Sequence, residues 1–197
     1  MLILSIDPAV KTMAVILLYY NENWEYDLLK CQTMREISNT LDHFHIIYLD
    51  SIYVTDPKNN IDVRLKDLKI YIDKLNKTII YPAIQKYKEP LTVLIENQRQ
   101  DNPISVPVMY CLLYEYSLYN VQLVGASLKN NIELDPNTSY GDFVKKYSSL
   151  YTANKRHSVN NFTYYLKMFN KEHLIQKFRK KDDVSDAFMQ ICGWLNK

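Results

Sequence analysis

Four acidic side chains stand at positions where they could bind a divalent metal ion. Asp7 and Glu96 each follow an apolar run, so each closes a predicted β-strand. An acid at the end of a central strand is costly to bury unless it is paired or holds a cation. Near the C-terminus, Asp183 and Asp186 are three residues apart, which places both on one face of a helix. Acids from distant segments that converge in this way favour a metal site for phosphoryl transfer.

The number of carboxylates suits two Mg²⁺ ions. Mg²⁺ prefers oxygen ligands and keeps some of its waters. Two such ions about 3.5–4 Å apart can activate a water and stabilise the leaving 3′ oxygen in an in-line displacement. Two ions need three or four carboxylates, so we predict a two-ion Mg²⁺ site, with Mn²⁺ as an acceptable substitute. Asp182 competes with Asp183 as a ligand, and the three-residue spacing to Asp186 favours Asp183.

Each acid alone also has an ordinary structural explanation. Asp7 before Pro8 could cap a turn, and Glu96 could end its strand in solvent. Asp182 and Asp183 could cap the helix that follows them. These explanations weaken jointly, because the predicted topology places the first strand beside the acid-bearing later strand, with the last helix across their ends.

The distribution of charge also favours a nucleic-acid enzyme. The formal net charge is +2, but residues 1–144 carry a net −5 and residues 145–197 a net +7. Between Lys145 and Lys181 there are ten basic residues and one acid, Glu172. A basic lobe beside an acidic cluster is typical of a nuclease, although a basic run alone is also typical of a solvated surface.

Composition excludes several other classes of protein. Only three glycines are present, so neither common glycine-rich phosphate loop can form. Three widely spaced cysteines indicate neither a zinc site nor a disulfide framework, which suits a reducing compartment. We find no signal-peptide pattern and no apolar stretch near the roughly 20 residues of a membrane helix. We therefore expect an intracellular protein without a membrane partner.

Hydrophobic patterning predicts an α/β fold in a single domain, residues 1–197. Three opening strands would form an antiparallel meander, and the later alternation of helix and strand implies parallel crossovers. Residues 32–58 are predicted to be an irregular insertion. This mixed five-stranded layout flanked by helices resembles the ribonuclease H-like topology. The predicted strands cover residues 2–7, 12–20, 24–31, 91–96 and 121–126, and the predicted helices cover residues 60–87, 102–119, 154–169 and 182–195.

Three segments together resemble a known family of DNA enzymes. They are similar to the three motifs of RuvC-like Holliday-junction resolvases, and to the poxvirus-type branch in particular. The resemblance implies a ribonuclease H-like fold, a homodimer and Mg²⁺-dependent symmetric nicking of four-way DNA junctions. It extends over nearly the whole chain. The matching segments are Ser5–Lys11, Leu94–Gln98 and Lys180–Ala187.

The resemblance also implies roles for individual residues. The catalytic metal ligands would be Asp7, Glu96, Asp183 and Asp186. DNA contacts would come from Lys11 in the first motif, from Gln98 at the end of the second, and from Lys155 and Arg156 before the third. Lys180 and Lys181, at the start of the third motif, could stabilise phosphate charge or could be ordinary surface lysines. The Tyr-rich segment 110–119 is predicted to be core or dimer surface.

These observations lead to one hypothesis and three alternatives. We expect a homodimeric, metal-dependent endonuclease that resolves branched DNA, in the host cytoplasm if the source is a poxvirus-type virus. The same fold could instead act on RNA–DNA hybrids, although nothing in the sequence recognisably reads a 2′-hydroxyl. A catalytically silent branched-DNA-binding protein would be expected to lack one of the acids, and none is missing. A sugar-kinase-like nucleotide binder would need glycine-rich turns.

Overall fold

A five-stranded mixed sheet forms the centre of the molecule. A computed structural model describes residues 1–8, 12–20, 44–53 and 59–196. Within these residues the strands pack in the order β3-β2-β1-β4-β5. Their bounds are β1 Leu2–Pro8, β2 Thr12–Tyr20, β3 Phe44–Tyr53, β4 Leu91–Glu96 and β5 Asn120–Val124.

Strand directions change at the middle of the sheet. The first three strands pair antiparallel, whereas β1 with β4 and β4 with β5 pair parallel. The predicted α/β layout, a meander followed by parallel crossovers, is therefore confirmed. Because Ile6 of β1 is in register with Ile95 of β4, the residues that follow them, Asp7 and Glu96, lie close together at the same end of the sheet.

The third strand differs from the prediction. Residues 24–31, where we predicted it, lie outside the described residues. The strand that pairs with β2 is β3, so the prediction that residues 44–53 belong to an irregular insertion was wrong. Its side chains do not alternate cleanly between polar and apolar, and its pairing with β2 shifts register beside Leu18. Pairing with the buried strand β2 decides the conformation here, and this long-range effect is not visible in local periodicity.

Helices cover both faces of the sheet. The predicted helix over residues 60–87 is in fact α1 and α2, joined by a π-helical stretch at Asn76–Ile80. A 3₁₀ turn over Leu128–Asn131 follows β5. The α-helices are α1 Ile61–Leu75, α2 Tyr81–Tyr87, α3 Ser105–Glu115, α4 Tyr140–Lys146, α5 Leu150–Met168, α6 His173–Gln176 and α7 Lys181–Leu195.

Capping residues explain several helix boundaries. The side-chain oxygen of Asn60 accepts from the Val63 amide and starts α1. Ser149 accepts from the Thr152 amide, so α5 begins several residues earlier than predicted. Asn102, the predicted cap of the next helix, accepts from the amide of Ser105 just ahead of α3. Among the described helices, none is long and apolar enough to cross a membrane.

Two hydrophobic cores lie on opposite faces of the sheet. One contains apolar side chains of α5 and α7, and the other contains those of α1 and α3. Along β1 the side chains alternate between them: Ile3 packs toward α5 and α7, whereas Leu4 and Ile6 pack toward α1 and α3. Ser5 and Asp7 therefore face α7, the helix that carries the last acid motif.

Candidate active site

The four predicted acids line one cleft at the edge of the sheet. Asp7 and Glu96 come from the ends of β1 and β4, on the face covered by α7. Helix α7 contributes Asp183 and Asp186, one turn apart, and both are buried. The cleft has a volume of about 530 Å³. Three separate elements thus contribute four carboxylates to one cleft, and the role of these acids as catalytic metal ligands stays a prediction.

Lysine side chains neutralise much of this negative charge. Lys129 Nζ lies 2.9 Å from Asp186 Oδ2 and 3.3 Å from Glu96 Oε2, so it bridges two elements. Lys155 Nζ lies 2.6 Å from the same Asp186 oxygen. Lys180 Nζ donates to both oxygens of Asp183, at 2.7 and 2.8 Å. The cleft is therefore a mixed network of carboxylates and ammonium groups.

The surroundings shift the pKa values of Asp7 and Asp183 in opposite directions. Burial, with the Glu96 charge beside it, raises the pKa of Asp7 well above its usual value, and Lys129 only partly opposes this. Burial also acts to raise the pKa of Asp183, but hydrogen bonds from Lys180 and Thr12 outweigh it and lower that pKa. The ionised form of Asp7 is thus poorly stabilised by its surroundings, and an added cation would stabilise it.

The lysines show the complementary effect. Burial acts to lower the pKa of both Lys129 and Lys155, but the nearby carboxylates, Asp186 first among them, raise both pKa values above the usual value. Both ammonium groups therefore remain charged, and they hold their positions by attraction to the acids.

A further layer of hydrogen bonds orients the acids. Gln190, one turn beyond Asp186 on α7, donates from Nε2 to Glu96 Oε2 at 2.6 Å. Its other amide atom, Oε1, accepts from Ser5 Oγ at 3.0 Å. Thr12 Oγ1 donates to Asp183 Oδ2 at 2.6 Å. Gln190 and Ser5 are fully buried, so these contacts fix the direction in which the carboxylates point.

The close approach of α7 to the turn after β5 helps to place Lys129. A Cβ on Gly193 would lie 2.7 Å from the carbonyl oxygen of Leu128, so only glycine fits there without movement. Leu128 begins the 3₁₀ turn, and the next residue is Lys129. The absence of a side chain at Gly193 therefore permits the contact that holds the lysine over the acids.

The remaining predicted site residues fall into three groups. Gln98 lines the acid cleft, where Lys155 and Lys180 lie directly beside the carboxylates. Arg156 and Lys181 line a neighbouring cleft instead. Lys11 lies outside the described residues. Of the two competing acids, Asp183 lines the acid cleft, whereas Asp182 lines the neighbouring one.

Sequence reasoning missed Lys129, Gln190 and Thr12. Lys129 had a usable signal, since it follows a parallel strand adjacent to β4, and residues after such strands collect at one edge of the sheet. Gln190 had a weaker signal, because it lies four residues after Asp186 on the same helix face. Thr12 opens β2, and its contact with Asp183 spans 171 residues, which no local pattern indicates.

The donor set suits Mg²⁺, which prefers carboxylate oxygens. Asp186 Oδ1 is buried and has no hydrogen-bond partner, so one acidic oxygen remains free to coordinate a cation. Across the residues that the structure describes, no three acidic, histidine or cysteine side chains already converge on one ion position. Lysine ammonium groups lie among the carboxylates, and these would have to yield to a bound ion.

The strand order and the acids at the ends of β1 and β4 define a ribonuclease H-like fold. The chain belongs to the poxvirus A22 protein family, whose sequence model matches residues 1–196. This match confirms the poxvirus branch that the three motifs predicted. No curated protein sequence matches closely enough to count as a relative.

The chain shares its fold with the fowlpox virus resolvase at low sequence identity. A fowlpox virus resolvase in complex with its substrate Holliday junction DNA is 14% identical, with a TM-score of 0.56 over 99% of this chain and 97% of that chain. A second structure, of the fowlpox virus Holliday junction resolvase, gives the same values. Thermus thermophilus RuvC is 10% identical, with a TM-score of 0.49 over 99% of this chain and 95% of that chain.

Proposed function

We propose that this protein is a Holliday-junction resolvase, a metal-dependent endonuclease that makes paired, symmetric nicks in four-way DNA junctions. The observation that carries the proposal is the convergence of Asp7, Glu96, Asp183 and Asp186, from β1, β4 and α7, on one cleft. Membership of the poxvirus family and the fold shared with the fowlpox virus resolvase support branched DNA as the substrate.

The four acids would hold two Mg²⁺ ions, with Mn²⁺ as an acceptable substitute. Bound there, the ions would supply an activated water and charge stabilisation for the leaving 3′ oxygen. Gln190 orients Glu96, and Thr12 orients Asp183, so the carboxylates are fixed before a ligand arrives.

Lysine side chains would stabilise the negative charge of the DNA phosphates during the reaction. Lys129 already bridges Glu96 and Asp186, and it is placed to stabilise negative charge on a phosphate that enters the cleft. Lys155, which pairs with Asp186, and Lys180, which pairs with Asp183, would contact the phosphate backbone on the side of the basic lobe. Gln98 lines the cleft near Glu96 and would contact the DNA there.

Paired nicking requires two sites, so we propose that the chain acts as a single-domain protomer of a homodimer. Each protomer would cut one of two opposed strands. The poxvirus family suggests the host cytoplasm as its place of action.

The proposal can be tested with labelled four-way junctions and matched linear duplex. Wild-type protein and Asp7→Asn would be incubated with each DNA in Mg²⁺ and in chelator. We expect paired nicks in the junction alone, and loss of cutting with chelator and in the variant. The matched control is Asp62→Asn, which removes an acid from the exposed first turn of α1 and should cut at the wild-type rate.

The other outcomes separate the alternatives. Full-rate cutting by Asp7→Asn would refute the metal site. Tight junction binding without cutting by the wild type would indicate a silent binding protein. Inactivity on both DNAs, with cutting of an RNA–DNA hybrid, would indicate that the hybrid is the substrate.

A further inference from the structure

A second cleft continues from the acid cleft and has a basic lining. Its volume is about 380 Å³. The two clefts share the side chains of Tyr151, Lys155 and Lys180, so they meet along a common wall. A DNA strand whose phosphate lies at the acids can therefore continue directly into the second cleft.

The second cleft carries a strong positive charge. Arg156 comes from α5, Arg179 from the segment before α7, and Lys181 from the first residue of α7. All three are exposed, and the acid in the lining is Asp182. Cations from separate elements around one concave surface attract a polyanion and hold its backbone.

An aromatic ring stands at the junction of the two clefts. Tyr151 is in the first turn of α5, and 68% of its surface is exposed. Lys155 Nζ lies 5.9 Å from the centre of its ring, at the wall that both clefts share. An exposed aromatic ring beside a basic groove can stack on a nucleobase, whatever the sequence of the DNA.

Stacking of this kind would depend on the shape of the DNA. Within a linear duplex every base is already stacked between its neighbours, so a protein ring gains contact only after unstacking it. At the branch point of an open four-way junction, the form that prevails without divalent metal, the bases at the crossover lack a stacking neighbour. A ring placed beside the cutting site would then favour branched over linear DNA.

We propose that Tyr151 is a specificity-determining residue that stacks on a base at the branch point, while Arg156, Arg179 and Lys181 bind the phosphates of the strand that continues into the second cleft. This inference rests on the proposed function, because it assigns the branched substrate of the same site. Tyr151 acts in recognition and leaves the acids to perform the chemistry.

The test compares binding to a four-way junction and to a linear duplex in chelator, where cutting is prevented. Tyr151→Ala should weaken junction binding about tenfold and change duplex binding less than about twofold. Tyr151→Phe keeps the ring and should stay within about twofold of the wild type on both DNAs. Tyr81→Ala removes another half-exposed tyrosine, which lines neither cleft, and should leave both affinities unchanged.

A fluorescent base gives a direct readout of stacking. With 2-aminopurine at the branch point, wild-type protein and Tyr151→Phe should change its fluorescence on binding, and Tyr151→Ala should not. The salt dependence of junction binding should weaken by about one unit of log slope for each cation removed at Arg156 or Arg179.

The outcomes distinguish a failure of the stacking role of Tyr151 from a failure of the proposed function. If wild-type protein prefers the junction and Tyr151→Ala keeps that preference and the fluorescence change, the stacking role is wrong and the proposed function stands. If wild-type protein does not prefer the junction, the proposed function fails, and the stacking role fails with it. A loss of duplex binding equal to the loss of junction binding would also overturn the role in specificity.

Discussion

The side-chain amide of Gln190 donates to Glu96 Oε2 at 2.6 Å, which links the middle of the last helix to the end of the fourth strand. The contact spans 94 residues of sequence. Because Gln190 also accepts from Ser5 of β1, one buried amide ties together the three elements that carry the acids. The acid cleft is therefore held by neutral hydrogen bonds as well as by ion pairs.

Replacement of Gln190 should reduce cutting without removing an acid. We expect Gln190→Ala to lower the rate of junction cleavage by about 10- to 100-fold, because Glu96 loses the group that orients it. Junction binding in chelator should remain close to that of the wild type. Trp194→Phe, which deletes a hydrogen bond to Gln122 elsewhere on α7, is the control and should cut normally. Equal losses in both variants would show that general damage to α7 is responsible.

Loss of Lys129 should make the protein depend on divalent metal for stability. Lys129→Met leaves buried Asp186 and partly buried Glu96 without their shared cation, which should cost about 3–5 kcal/mol of unfolding free energy in chelator. Added Mg²⁺ should restore more stability to the variant than to the wild type, since the ion can replace the missing charge. Urea denaturation with and without Mg²⁺ measures both the loss of stability in chelator and the stability that Mg²⁺ restores. A Mg²⁺ effect of the same size in both proteins would contradict the prediction.

Metal binding should release protons from Asp7. Its raised pKa means that it takes up a proton at a higher pH than an ordinary aspartate, and only the ionised form coordinates a metal. Affinity for Mg²⁺ should therefore fall as the pH drops through that raised pKa. Calorimetric titration in buffers of different ionisation enthalpy reports the proton release. Asp7→Asn should show no release from this group, and an unchanged release would assign it to another residue.

His157 should make the protein less stable in mild acid. It is fully buried, neither ring nitrogen has a hydrogen-bond partner, and burial lowers its pKa against a weaker opposing effect of Glu133. Below the ordinary histidine pKa of about 6.5 the unfolded chain binds a proton that the folded chain does not. Stability is therefore lost as the pH falls through that value toward the lowered folded pKa, with a slope of at most about 1.4 kcal/mol per pH unit.

The matched variant for this pH effect is His157→Phe, which keeps a ring between Tyr140 and Phe143. Urea denaturation between pH 8 and pH 5 should show a shallower decline for the variant than for the wild type. Parallel curves for the two proteins would mean that other groups cause the decline.

Gly193 should tolerate no side chain. In Gly193→Ala the new methyl group meets the Leu128 backbone, and we expect a loss of about 1–3 kcal/mol from overpacking. Cutting should also slow, because the turn that carries Lys129 must move. Gly141→Ala, in helix α4 with its nearest atom at 3.5 Å, should be neutral or slightly stabilising. Thermal melts and junction cleavage of the two variants test the contrast.

Local pattern predicted most of the fold because the strands are short, apolar and bounded by turns. β2 was predicted with its observed limits, and α7 began one residue before its predicted start. The π-helical stretch inside residues 60–87 could not be predicted, since an apolar stripe at three- and four-residue steps does not distinguish one helix from two joined segments. β3 was missed because its pairing with β2, rather than its own pattern, makes it a strand.

The grouping of the four acids in one cleft was predictable, and the side chains that contact them largely were not. Asp7 and Glu96 end apolar strands, which makes them conspicuous in a sequence. Lys129 looks like any other lysine among the 24 basic residues of the chain. Its role follows from the parallel pairing of β4 with β5 and from the lack of a side chain at Gly193. Such partners are fixed by tertiary packing, and a single sequence records packing only indirectly.

The distances in sequence between the acids have a consequence for biosynthesis. Asp7 emerges from the ribosome first, Glu96 well after it, and Asp186 well after Glu96. A nascent or truncated chain that lacks α7 cannot assemble the proposed cation site, because α7 supplies two of the four carboxylates. The proposed site can therefore form only after α7 has been synthesised and has packed against the sheet.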